Sequence, residues 1–196
     1  AIAVALVALP LSLAISNASG VSPAVGLITA VSSFLLSSFL THNMLQRDAV
    51  VTMEFVQAIA QAENTRSYFE TDDPGKTKTV FEAFFKQIAT MPEVVRANVY
   101  NSNGSILWSD DDRFIGHRFN PNPQLETALS GKLAVTSGTS GKSSKPEHVF
   151  DQEVPFFAEI YIPIWNIREN KVVGVVEVYK VPLTLFHAIK QGNRLV

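Results

Sequence analysis

The sequence contains no cysteine. A disulfide framework and a thiolate metal site are therefore both excluded. Charge is missing from the N-terminal part, since no Asp, Glu, Lys or Arg precedes Arg47. Over all 196 residues, 16 Lys and Arg stand against 18 Asp and Glu. That balance lacks a basic footprint, so nucleic acid is not an expected partner. The four histidines (His42, His117, His148 and His187) are widely spaced and include no His-x-x-x-His pair. No metal is implied, and no cofactor. A nucleophile with a spaced base is not visible either, so the chain itself does not read as an enzyme.

What is present before Arg47 is a long run of apolar and small residues. A membrane-spanning helix needs about 20 apolar residues. Residues 1–42 are long enough for one long transmembrane segment or two short ones. Asn17, Gly20 and Pro23 mark a break between residues 1–16 and a full span at 24–40. A signal peptide is the competing reading, but no basic residue leads the run and the run is too long. A buried hairpin is the third reading. It is disfavoured because soluble helices rarely lack charge for so long.

Residues 41–69 read as a helix continuing out of that run. Leu45, Ala49, Thr52, Val56 and Ile59 form one stripe at helical spacing. Met44, Val51, Phe55, Ala58 and Ala62 form another. One stripe can pack on the domain and the other on a partner helix, which would make residues 44–62 a homodimer contact. An amphipathic helix packed only on its own domain is the alternative. Residues 76–91 form a second helix, with Val80, Phe81, Phe84, Phe85, Ile88 and Met91 on one apolar face.

Residues 93–109 read as strand, tight turn, strand. Val95, Ala97 and Val99 alternate with Arg96, Asn98 and Tyr100, the period of a half-buried strand. Asn103-Gly104 supplies the positive-φ pair of a short hairpin. A polar loop, Asp110-Asp111-Asp112-Arg113, runs to Ile115-Gly116. A short helix follows at 121–131 and a strand at 133–136. Residues 137–148 are rich in Gly, Ser and Lys and read as a loop. The Gly-Thr-Ser-Gly-Lys-Ser run in it lacks the spacing and strand-to-helix context of a phosphate loop. Residues 154–165 and 171–181 are antiparallel strands, and 182–194 a last helix. Glu159 and Glu177 interrupt these apolar strands. They are expected on an exposed face, or satisfied by a basic group, rather than in acid–base catalysis.

This order of hairpin, Asp loop, Ile-Gly, helix, strand, Tyr161-Ile162-Pro163-Ile164 and Val172-Val173-Gly174-Val175-Val176 resembles the extracytoplasmic Cache domains. These are the PAS-like sensors of bacterial histidine kinases and chemoreceptors. The resemblance covers residues 45–196. It implies an α+β fold, an antiparallel sheet with flanking helices. It also implies a division into membrane segments (1–42), a membrane-proximal signalling helix (43–70), a sensor domain (71–182) and a helix leading toward a second span (183–196). The implied role is the signal-sensing part of a membrane-bound two-component kinase in the bacterial cell membrane, with the domain outside the cytoplasm. In such a domain Trp108, Arg113, His117, Thr136 and Tyr161 would line a ligand pocket. Arg113 and His117 would take a small anionic or carboxylate ligand, Arg113 by its bidentate fork. A domain with no ligand, sensing through partners or the membrane, is the alternative.

A second resemblance lies in residues 7–30. Val7-Ala8-Leu9-Pro10-Leu11 and Ser19-Gly20-Val21-Ser22-Pro23-Ala24-Val25-Gly26 are similar to the first membrane segments of sulfate-permease-type anion transporters. The match departs after Val31, and the chain has at most two spans at its start, too few for transport. It implies at most a fragment or fusion of such a transporter with an appended soluble domain.

Overall fold

The computed structural model describes residues 19–20, 22–62, 64–70, 74–138 and 156–181. The chain falls into two units, Ala1–Arg47 and Asp48–Val196. One long helix, α1 (Pro23–Ala62), runs through the boundary between them. Residues 24–40, expected as a span, are its first part. Among the described residues no helix is long and apolar enough to cross a membrane. Residues 1–16, most of the transporter-like stretch, all but the first two residues of the loop expected at 137–148 and the helix expected at 182–194 lie outside the described residues.

The second unit is α+β and has the PAS-like arrangement. Its strands are β1 (Val94–Asn101), β2 (Ile106–Ser109), β3 (Ala134–Gly138), β4 (Phe157–Asn166) and β5 (Lys171–Lys180). They form one antiparallel sheet in the order β2-β1-β5-β4-β3. The helices are the second half of α1, α2 (Pro74–Ile88) and α3 (Pro123–Leu129). The first and last strands in sequence, β1 and β5, pair at the centre, so β5 is hydrogen-bonded on both sides.

One face of the sheet is covered by α1 and α2. Ala49, Val56, Ile59 and Ala60 of α1 and Phe81, Phe84 and Ile88 of α2 share a core with Ala97, Val99, Ile160, Ile162, Val176 and Val178. The first stripe read from the sequence is thus the packed one, with Thr52 buried in it. Val51, Phe55, Ala58 and Ala62 of the second stripe stay exposed, as does Met44. Gln57 Nε2 donates to the Pro163 carbonyl at 3.1 Å, fixing α1 to β4. Pro163 is tolerated in β4 because β3 pairs only with Phe157 to Tyr161, so no ladder N–H is needed there.

The helix expected over residues 41–69 ends earlier than expected. It ends at Ala62, Asn64 adopts φ 51°, and Thr65–Glu70 continues as a 3-10 turn. A left-handed residue after a helix end reverses the chain direction. This returns Phe69 to the core, its ring edge-on to Phe81 at 5.1 Å. The hairpin also differs from expectation. Only Gly104 has positive φ, at 80°. The loop spans four residues between Asn101 and Ile106, because Asn101 Oδ1 accepts from the Asn103 and Ser105 amides. The polar loop after β2 contains a further 3-10 turn, Asp112–Phe114, capped by Asp111.

A larger correction concerns β1. Arg96, Asn98 and Tyr100 were expected on a solvent face, but all three are buried, while Val95 is 41% exposed. A register shift between Val94 and Arg96 takes Val95 out of the alternation. The reason the polar set is buried is that the second face of the sheet is also covered. There Tyr100, Ile106, Phe114, Leu125, Ala128, Ala134, Tyr161 and Val175 form a smaller core with α3.

Gly174 shows how tightly the first face is packed. A Cβ built on it would sit 2.4 Å from both Phe69 Cδ1 and the Tyr100 carbonyl oxygen. The backbone contact cannot yield by a rotamer change. We expect Gly174→Ala to destabilise the fold by about 3 kcal/mol, read as a lower urea midpoint with an unchanged slope.

Candidate functional site

The second face carries a cluster of polar groups that the strand pairing brings together. Asn98 of β1 and Tyr161 of β4 both sit opposite Glu177 of β5. Glu159 of β4 sits opposite Tyr179 of β5 and Thr136 of β3. Because side chains in register share a face, one band of carboxylates and hydroxyls runs across the sheet. Glu159 is 2% exposed and Glu177 fully buried. The expectation of an exposed face for these two acids is therefore overturned.

Among the described residues neutral groups donate to both carboxylates. Glu177 Oε2 accepts from Asn98 Nδ2 and from the Tyr100 hydroxyl, each at 2.7 Å. Glu159 Oε2 accepts from the Tyr161 hydroxyl at 2.9 Å. Asn122 Nδ2 donates to that hydroxyl at 3.4 Å. The same Asn122 caps α3, its Oδ1 accepting from the Leu125 amide at 3.1 Å. The helix start expected around Pro121-Asn122-Pro123 is thus tied into the cluster. Two buried acceptors, Glu177 Oε1 and Asn98 Oδ1, have no hydrogen-bond partner.

Burial and the nearby Glu159 charge raise the Glu177 carboxyl above its ordinary 4.5, against hydrogen bonds from Asn98, Tyr161 and Tyr100. Burial, followed by the Glu177 and Glu159 charges, pushes the Tyr161 hydroxyl well above 10. Tyr179 is raised in the same way. The tyrosines consequently remain hydrogen-bond donors.

The five residues expected to line one pocket are divided by the structure. Tyr161 lies in the cluster and Thr136, half-buried, beside it at the β3 edge. Trp108 packs on the opposite face, its ring 4.8 Å from Phe85. With Arg113, Arg96, Lys78, Glu82 and Asp110 it lines an open cleft of about 410 Å³. Arg113 is exposed, and its fork is taken by Asp111, Nε to Oδ1 at 2.8 Å. That hydrogen bond lowers the Asp111 carboxyl, whereas burial raises Asp110 despite the Arg96 charge. His117 is exposed and stacks on Phe119 at 6.1 Å.

Asn98, Tyr100, Glu159 and Glu177 were not among the expected site residues. A charged residue inside an apolar strand was the available signal, and both glutamates gave it. Asn98 and Tyr100 join them only through strand register. Among the described residues no group of three or more His, Asp or Glu is placed to hold a metal.

No protein-family model matches the chain, and no curated protein matches it in sequence. Among solved structures it is similar to the E. coli DcuS sensor domain, with 15% identity and a TM-score of 0.45, over 71% of this chain and 98% of that one. The fold assignment stands on the strand order and the helices rather than on this likeness.

A carboxyl raised on folding stabilises the folded chain below its unfolded value, and that contribution is lost as pH rises through the folded value. For Glu177 the window opens at about 4.5 and extends upward. Glu177→Gln keeps the shape without the charge. We expect it to be more stable than wild type above this window, and the difference between the two proteins to grow with pH in urea melts. Asp110 is raised as well, but it is common to both proteins and cancels in that difference. A difference that stays flat with pH would contradict the assignment.

Proposed function

We propose that this chain is an extracytoplasmic sensor domain of a membrane-bound histidine kinase. A small ligand bound on the second sheet face would shift the relation between β5 and α1. The observation that carries this reading is on β5. Glu177 belongs to the buried cluster, and three residues on, facing the other side, Lys180 Nζ contacts both oxygens of Asp48 on α1, at 2.7 and 2.8 Å. The Lys180 side chain is only 7% exposed, so Asp48 supplies the partner that a buried ammonium needs. A ligand that prefers one position of β5 would bias this contact and hence the helix, a shift of population between two states. Tyr161 and Thr136 are the expected ligand residues that this reading retains at the cluster. Trp108 and Arg113 belong with the separate cleft. The transporter-fragment reading has no observation in its favour among the described residues.

The exposed stripe supports a second part of the reading. Val51 and Phe55 are 64% and 39% exposed, at the same helical spacing as the buried stripe. We propose that this stripe meets its copy in a homodimer, the arrangement in which a helix shift can pass on to a following segment. Phe55→Asp is then expected to convert a dimer to a monomer in sedimentation velocity while leaving the melting temperature nearly unchanged. A wild-type chain that stays monomeric at high concentration would remove this part.

Coupling is tested by screening the purified chain in thermal shift against carboxylates, amino acids, amines and inorganic anions. Amide exchange of residues 48–62 is then followed with the best stabiliser. Wild type should gain or lose protection in the helix on binding. Lys180→Met should keep the thermal shift but lose the helix response. If no compound stabilises the folded chain, or the helix response survives in Lys180→Met, the reading fails.

A further inference from the structure

The cluster on the second face leaves two buried acceptors open. Two carboxylates lie within one band of the sheet, Glu159 at 2% exposure and Glu177 at 0%. The hydroxyl protons of Tyr100 and Tyr161 go to carboxylate oxygens, as does an amide proton of Asn98. A hydroxyl has one proton to give. Glu177 Oε1 and Asn98 Oδ1 are left as buried acceptors with no donor. Each such orphan costs about 1–3 kcal/mol, and a native fold that keeps two on paired residues calls for an explanation. A proton on Glu177 Oε1 would satisfy both in the free chain, and a positively charged N–H donor would take its place.

We propose that this cluster binds the ammonium head of a small primary amine, with Glu177 Oε1 and Asn98 Oδ1 accepting two of its N–H bonds. This rests on the sensor reading and names the chemical class of its ligand. A primary ammonium offers three donors and one positive charge, matching the two open acceptors and the charge of the Glu177 carboxylate. A carboxylate head would add a further negative charge to Glu159 and Glu177. Among the described residues Arg96 is a cation on this face, its Nε 3.5 Å from Asp110 and its guanidinium over the Phe114 ring, and Arg113 is held by Asp111. The cluster reaches the surface at Thr136, half-buried opposite Glu159. The head enters there and the remainder of the amine is left toward the β3 edge.

The groups that face Glu177 are Asn98 and Tyr100 from β1, and Glu159 and Tyr161 from β4. Of these, Glu159 is the other acid, and its charge raises the Glu177 carboxyl further. Because burial favours the protonated form of Glu177 in the free chain, an ammonium that pairs with the carboxylate displaces that proton. Binding therefore tightens as pH rises, until the amine itself loses its proton. Below the carboxyl's raised value the apparent affinity gains up to about tenfold per pH unit.

The experiment is a thermal shift of the full chain at matched ionic strength. The probes are methylammonium chloride, tetramethylammonium chloride, potassium chloride and sodium acetate, each with wild type and with Glu177→Gln. Methylammonium is expected to raise the melting temperature by about 3 °C or more at saturation. Tetramethylammonium, which has the charge but no N–H, should do no better than potassium. The isosteric Glu177→Gln should melt cooperatively and lose the response. Calorimetric titration of methylammonium in buffers of different ionisation enthalpy should report proton release by wild type. Stabilisation by methylammonium that equals potassium, or persists in Glu177→Gln, overturns the amine site. Stabilisation by acetate alone also overturns it, yet leaves the sensor reading in place. If neither these probes nor the wider panel stabilise the folded chain, the sensor reading falls with it.

Discussion

The burial of the Glu177 carboxylate on the central strand is the constraint around which the second sheet face is arranged. An ionised carboxyl removed from water is costly unless donors replace the lost solvent. Here Asn98 and Tyr100 from the neighbouring strand supply them. Those donors reach it only if β1 and β5 keep their register, with Asn98 opposite Glu177. The same register places Val99 and Val176 on the opposite face, in the core shared with α1 and α2. A slip of one residue would expose that core and bury different polar groups.

This arrangement links two regions that are distant in sequence. β5 is buried on both faces and contacts chemistry of opposite kinds. On one side are carboxylates and tyrosines. On the other is an apolar helix interface, closed at the strand end by the Lys180–Asp48 pair. A central strand held rigidly by both neighbours moves as a unit if it moves at all. That property, rather than any single pocket, is what the proposed coupling between the cluster and α1 draws on.

Much of the architecture was legible in the chain. The packed stripe of α1, the aromatic face of α2, the β4–β5 hairpin and the Pro-Asn-Pro start of α3 all follow from periodicity and capping chemistry, which act locally. The misread elements have non-local causes. The helix ends early because Asn64 turns left-handed and Phe69 has a core to return to. The polar side of β1 is buried because α3 and the segments around it cover the second face, which no alternation pattern in β1 can report. The expected pocket residues were drawn from loops and strand ends. They divide between two faces because Trp108 and Tyr161 point to opposite sides of the sheet.

By itself the sequence determined what kinds of element form and where charge is absent, since helical and strand periods and turn residues express short-range backbone sterics. It also marked Glu159 and Glu177 as departures from apolar strands. Only the tertiary structure decided what those two acids meet. The partners of Glu177 come from a strand some eighty residues earlier in the chain, and its desolvation depends on cover from elements on that face. Burial and partner choice are properties of the packed sheet, so the chemistry of the site exists only once all of its layers are in place.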